Sequence, residues 1–196
     1  METKLDNHYW NERYKEQQTG WDLGIASPPL VDFFSTLTDK NLAILIPGCG
    51  NAYEAEWLLA NGFTNITLID ISPLLIEKLS RKFKAQVGLG LTLVRDDFFN
   101  CTGAYDLIVE QTFFCALNPN LRQKYAEKMH QLLCKNGCLV GVLFDRDFIS
   151  SPPFGGSSAE YQSLFSPLFN IEKMAPCQNS VPPRLGSELF FVMSKK

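Results

Sequence analysis

The sequence predicts an α/β fold: a doubly wound, mostly parallel sheet covered by helices on both faces. Two observations lead there. Apolar runs of strand length alternate along the chain with segments of helical periodicity, the pattern left by parallel strands joined through helical crossovers. The first run, "LAILI" at 42–46, breaks into Pro47-Gly48-Cys49-Gly50 and becomes helical at once, while the second, "ITLID", ends in Asp70. A glycine turn and an acid at successive strand ends mark the crevice where such sheets bind ligands.

The elements follow in chain order. Residues 5–18 read as a charged helix, and "TGWDLGIASPPL" as a turn-rich stretch. "LVDFFSTL" has the pattern of a short apolar helix. After the first strand, "AYEAEWLLANG" reads as a helix closed by Gly62. The second strand leads into "SPLLIEKLSRKF", a helix that Ser72 can cap and whose first position suits Pro73. "LTLVRDD" and "YDLIVEQ" are the third and fourth strands. "PNLRQKYAEKMHQLLCKNG" is an amphipathic helix expected to stop at Gly137, followed by the fifth strand, "CLVGVLF". "GGSSAEYQSLFSPLF" reads as a loop, and "NIEKMA" and "ELFFVMS" as a weaker pair of strands.

A chain of 196 residues, 45% hydrophobic and 20% charged, suits a single globular domain. A formal net charge of −3 argues against nucleic acid as a partner. No apolar run approaches the ~20 residues of a membrane span, and the polar N-terminus lacks the apolar core of a signal peptide. A cytoplasmic location is therefore expected. Six irregularly spaced cysteines read as reduced thiols. Cys134 and Cys138 could share a helix face, but His8 and His130 are the only histidines, so no metal is expected.

Gly48-Cys49-Gly50 lets the backbone turn tightly and approach a ligand without Cβ interference. The helix behind it presents unpaired N–H groups, and Asp70 is placed to accept hydrogen bonds from ribose hydroxyls. Together they indicate a nucleotide-containing cofactor. Tyr53 stands where the dinucleotide fingerprint G-x-G-x-x-G needs its third glycine, which crowds the approach of a pyrophosphate. The pair Asp96-Asp97 follows the third strand, where an adenine amino group needs an acceptor. Too few residues follow the fifth strand for the usual substrate domain of a dehydrogenase. These features favour S-adenosylmethionine over a dinucleotide.

The segments "YWNERY", "GWDLGIASPPL", "LIPGCGNAYEAEWL", "LIDIS", "RDDFF", "YDLIVEQTFFCALNP" and "SPPF" together resemble the thiopurine S-methyltransferase superfamily, which includes thiol and halide methyltransferases. The resemblance runs through nearly the whole chain. It implies a class I, Rossmann-like methyltransferase domain over 1–196: a seven-stranded sheet with an antiparallel C-terminal edge strand, and residues 1–36 as a segment covering the cofactor. By the same resemblance Trp10 and Trp21 would close over S-adenosylmethionine, and Gly48 and Gly50 would lie under its methionine part. Asp70 would hold the ribose, Asp97 and Phe98 would flank the adenine, and Glu110 would sit beside the methionine moiety.

On the acceptor side, Gln111 stands where thiopurine enzymes carry arginine and halide or thiol enzymes carry tyrosine. Arg184 lies near a second substrate arginine of the thiopurine branch; Arg146 is a further anion contact to test, and Asp22 either lines the entrance or caps a turn. Trp21, Phe113 and Phe114 are candidates to face a sulfonium charge, whereas Trp57 reads as core. The acceptor implied is a small thiol, thiopurine or halide. A thiolate or halide needs no strong general base, since a thiol of pKa near 8.5 is already partly ionised at neutral pH. Two rivals stay open on sequence: a nucleotide-dependent oxidoreductase, and a non-catalytic protein that binds the cofactor. Oligomeric state is not legible.

Overall fold

Each apolar run folds as a strand because both faces of the sheet are covered, which rewards unbroken hydrophobic stretches over alternating ones. A computed structural model describes residues 4–196; residues 1–3 of the N-terminal segment lie outside it. The strands are β1 (Ile44–Pro47), β2 (Ile66–Asp70), β3 (Leu91–Arg95), β4 (Tyr105–Gln111), β5 (Leu133–Phe144), β6 (Phe169–Pro176) and β7 (Glu188–Lys195). They form one sheet in the order β3-β2-β1-β4-β5-β7-β6. Strands β1 to β5 run parallel to one another, and β7 runs antiparallel between β5 and β6. The strand order reverses between β1 and β4, so a crevice opens beyond their carboxyl ends.

Alternation along β1 divides the core in two. Ile44 and Ile46 point to a face covered by α2 (Pro28–Ser35), α3 (Tyr53–Ala60) and α4 (Pro73–Lys82), through Leu30, Phe34, Ala55, Leu58, Leu75 and Leu79. Leu45 points to the other face, where α5 (Arg122–Leu132) and α6 (Ser158–Phe165) contribute Tyr125, Met129, Tyr161 and Phe165. The charged helix α1 (Asn7–Lys15) buries no residue. Asp6 caps it, accepting from the N–H groups of His8 and Tyr9 at 3.1 Å each. Ser72 caps α4 as expected, its hydroxyl accepting from Leu75 N–H at 3.2 Å.

Two expectations need correction. The helix after β4 ends at Leu132 rather than at Gly137, and Leu133 already has the extended backbone of β5. Tyr105 pairs with Leu133 and Leu107 with Cys138, so the residues between bulge out of the ladder, Asn136 taking a positive φ of 66°. Cys134 and Cys138 therefore lie on a strand and share no helix face. Gly137 serves packing: a Cβ there would stand 3.0 Å from the carbonyls of Cys134 and Tyr105. The second correction is α6, which covers most of the stretch read as a loop. Ser157 accepts from Glu160 N–H at 3.3 Å, an S-x-x-E start that was present in the sequence.

At the end of β1 the backbone is left-handed at Gly48 (φ 55°), Gly50 (φ 52°) and Ala52 (φ 57°). Gly48 has a second reason to be glycine. A Cβ there would stand 2.2 Å from the ring of Phe113, in the turn after β4. Gly48→Ala should destabilise the protein by roughly 2–4 kcal/mol, from left-handed backbone strain plus overpacking. Urea denaturation of Gly48→Ala, Phe113→Ala and the double variant should show non-additivity, because removing the ring abolishes the clash. Strict additivity would contradict the contact.

Candidate active site

The crevice is a cavity of about 740 Å³, within the range of roughly 300–1,000 Å³ usual for small-molecule sites. Its wall draws on the ends of β1, β2, β3, β4 and β5, the turn before β7, and the N-terminal segment. The site candidates that line it are Trp10, Trp21, Asp22, Gly48, Gly50, Asp70, Asp97, Phe98, Gln111, Phe113, Arg146 and Arg184; Glu110 and Phe114 do not.

The carboxylates differ in surroundings. Asp70 is buried, with 8% of its surface exposed, and accepts from Ser72 N–H at 2.9 Å. Burial pushes its pKa up to about 6, although the N–H groups of Ser72, Gly50 and Ile71 favour the charged form. Asp97 is exposed at the end of β3 and accepts from Phe99 N–H at 2.9 Å, starting the short turn Phe98–Asn100. Asp96 accepts from Asn100 and from Asp97 N–H, and those bonds hold its carboxyl below the ordinary range.

Glu110 turns away from the cavity and is fully buried. One carboxylate oxygen accepts from the N–H groups of Phe113 and Phe114 at 2.8 and 2.9 Å, and the other accepts from the Tyr125 hydroxyl at 2.5 Å. Burial raises its pKa to about 7. The carboxylate thus shapes the turn that follows β4, where Thr112 has φ 57°, and that turn sets Gln111 and Phe113 in the cavity wall. Gly141, opposite Glu110 in the ladder, leaves it room: a Cβ there would stand 2.5 Å from that of Glu110. The Gln111 Oε1 atom is buried without a hydrogen-bond partner among the described residues. Phe98 and Phe113 meet edge to face at 5.2 Å. Phe114 is buried against Tyr125, and Trp57 packs on Phe34.

The N-terminal segment is fastened over this wall at several points. Asn11 on α1 accepts from Leu74 N–H and the Ser72 hydroxyl at the start of α4. Trp21 meets Trp10 at 5.5 Å and Tyr14 at 5.9 Å, both edge to face. Asp22 accepts from Gly24 N–H at 2.8 Å, from the Asn51 amide and from the Tyr53 hydroxyl, so it both closes a turn and joins the segment to the glycine turn. Buried Glu54 accepts from Ser27 N–H at 2.9 Å. Arg184, only 8% exposed, donates to the Trp21 carbonyl at 2.6 Å and pairs with Glu188 at 3.2 Å.

Several wall residues carried no role in the sequence reading. Tyr14 reaches toward Gly50, its hydroxyl 3.6 Å from where a Cβ would lie. Phe144, Phe148, Pro152 and Pro153 come from the end of β5 and the loop beyond. The cavity also contains two cysteines, Cys49 and Cys115. Burial pushes both thiols well above their ordinary pKa, and Cys115 Sγ donates to the Thr112 carbonyl at 3.3 Å. A turn with glycine at positions 48 and 50, an acid at the tip of β2 and acids at the tip of β3 suit a nucleoside cofactor.

The sequence profile of the thiopurine S-methyltransferase family matches residues 5–189. The chain is 32% identical over 184 residues to probable thiol methyltransferase 2 of Arabidopsis thaliana, covering 91% of this chain and 81% of that one. It is 28% identical over 177 residues to a thiopurine S-methyltransferase of Vibrio cholerae, covering 82% and 81%. In fold it is similar to the 1,6-didemethyltoxoflavin N1-methyltransferase of Burkholderia thailandensis, solved with S-adenosylhomocysteine, at a TM-score of 0.79 and 16% identity over 97% and 87% of the two chains. The chain belongs to the thiopurine S-methyltransferase family, and it is a methyltransferase whose cofactor is S-adenosyl-L-methionine.

Proposed function

We propose that this enzyme methylates a small soft nucleophile, a thiol or thiopurine sulfur foremost, with a halide or thiocyanate as a further acceptor of the same kind. The carrying observation is the character of the wall around Gln111. Phe113, Phe144 and Phe148 supply apolar surface to the same cavity, the amide is uncharged, and neither histidine lines it. Such a wall suits a nucleophile that attacks without a strong base.

Bound cofactor supplies an electrophilic methyl group on a sulfonium that leaves as a neutral thioether. The acceptor thiol gives its proton to solvent, and its sulfur electron pair forms the new S–CH₃ bond as the old bond breaks. In this reading Asp70 accepts from the ribose hydroxyls, Asp97 and Phe98 flank the adenine, Gly48 and Gly50 lie under the methionine part, and Trp10 and Trp21 close the cavity. Glu110 acts indirectly, through the turn that it holds. Alignment of acceptor, methyl and leaving group contributes up to ~7–11 kcal/mol in favourable systems. Burial keeps Cys49 and Cys115 protonated and poorly nucleophilic, so these two cavity thiols do not compete for the methyl group. Six free cysteines, four of them buried, suit a reducing cytoplasm.

Product analysis after incubation with S-adenosylmethionine tests the acceptor: thiols should be methylated, and methylation of amines or catechols but of no thiol would contradict the reading. Asp70→Asn should weaken S-adenosylhomocysteine binding about 10- to 100-fold, the value of charge-assisted hydrogen bonds in a buried site. The wild-type carboxyl titrates near pH 6 in the free protein, above the ordinary 3.8. Hydroxyl donors favour its charged form, so calorimetry should show affinity falling as pH drops through 6, and Asp70→Asn should remove that dependence. At neutral pH the free variant should melt higher, because it no longer buries an ionised group. Gln111→Arg should shift preference toward anionic acceptors while leaving S-adenosylhomocysteine affinity nearly unchanged. An identical acceptor profile would exclude Gln111 from acceptor recognition.

A further inference from the structure

Three arginines line the cavity, Arg13, Arg146 and Arg184, and their surroundings divide their roles. Arg13 is bonded to the Gln18 amide and lies over the Tyr9 ring. Arg184 is buried, and its two terminal nitrogens are taken by Glu188 and the Trp21 carbonyl. Its charge is neutralised and its geometry committed to the N-terminal segment. Arg146 differs from both. No acid pairs with it among the described residues, and the one hydrogen bond of its side chain is a long 3.4 Å contact from Nε to the Asp147 carbonyl. Its guanidinium lies 4.9 Å over the Phe148 ring, also in the cavity wall.

The position of Arg146 is built by its loop. Gly156 N–H donates to the Arg146 carbonyl at 3.1 Å. Gly155 must be glycine, because a Cβ there would stand 2.0 Å from the same carbonyl. Buried Arg122 donates to the Gly155 carbonyl at 2.6 Å and pairs with Glu160 on α6. Phe154 N–H donates to the Cys115 carbonyl at 2.7 Å, tying the loop to the turn after β4. The backbone that carries Arg146 is thus held at both neighbouring elements. A stacked guanidinium with unused donors is suited to a carboxylate or other small anion.

We propose that Arg146 reads the charge of the acceptor, and that Arg184 instead holds the Trp21 segment in place. The preferred acceptors are then small soft nucleophiles that carry a negative group, such as mercaptocarboxylates, with Arg146 on the anion and the sulfur directed inward. This rests on the S-methyl transfer reading. The test compares 3-mercaptopropionate with uncharged 1-propanethiol in the wild type, Arg146→Gln and Arg184→Lys, with S-adenosylhomocysteine affinity measured for each. The kcat/KM ratio of the acid to the neutral thiol should exceed one in the wild type. In Arg146→Gln it should fall about tenfold, the scale of one charge-assisted hydrogen bond, with cofactor-product affinity retained. Arg184→Lys should instead lower both thiols together and weaken S-adenosylhomocysteine binding. A ratio unmoved by Arg146→Gln, or moved by Arg184→Lys alone, would overturn the assignment. Tryptophan fluorescence of 3-mercaptopropionate binding to the S-adenosylhomocysteine complex reads the same contrast without turnover. A contrast in binding without thiol methylation would overturn S-methyl transfer and keep Arg146 as the anion contact; no contrast would overturn Arg146.

Discussion

The site depends on one steric interlock, the ring of Phe113 occupying the space beside Gly48. It joins the turn after β1, where the cofactor's methionine part is proposed to lie, to the turn after β4, where the acceptor is proposed to enter. Two strands that are neighbours in the sheet are thereby neighbours at their tips as well. The second turn is in turn shaped by buried Glu110, whose carboxylate accepts two backbone N–H bonds and a tyrosine hydroxyl. Gly141 in β5 makes room for that carboxylate. Two glycines and one acid hold the turns after β1 and β4 side by side at the cavity. In methyl transfer the placing of the two reactants is the main variable a protein controls.

Burial of charge is the second constraint. Asp70, Glu54, Glu110, Arg184 and Glu188 are all buried, an arrangement that lowers stability unless each group is bonded. Each is bonded. Glu188 pairs with Arg184, and the other four bond backbone N–H or C=O groups of the segments around the cavity. The charges therefore fix loops that apolar packing alone would leave loosely specified. Asp70 carries the clearest conflict between stability and a proposed role, since burial raises its pKa and the folded protein holds its carboxylate at a loss.

Much of this was legible because it is local in sequence. The strands, the Ser72 cap and the pairing of Gly48 with Asp70 follow from short-range pattern and from the fixed length of a strand–helix–strand unit. Helix α6 was legible too, through Ser157 and Glu160, but the glycines and serines around its start have the composition of a loop. The end of α5 was not, because Leu133 leaves the helix to pair with Tyr105, a long-range demand that overrides helix propensity. The direction of Glu110 depends on Tyr125, and the engagement of Arg184 on Trp21, 163 residues away. Such partners come together only through the fold. Family resemblance suggested a substrate contact for Arg184, while the geometry around it favours a structural hold on the covering segment.

Thermal unfolding with S-adenosylhomocysteine, set beside NAD at matched concentration, tests the central claim most directly. A ligand that binds only the folded state at ~100 times its dissociation constant adds roughly 2.7 kcal/mol, readily seen as a rise in melting temperature. A rise with S-adenosylhomocysteine, cut to roughly half or less in Asp70→Asn at the same concentration and absent with NAD, is the expected result. A rise with NAD alone, or none with saturating S-adenosylhomocysteine, would contradict the account of the glycine turn and Asp70.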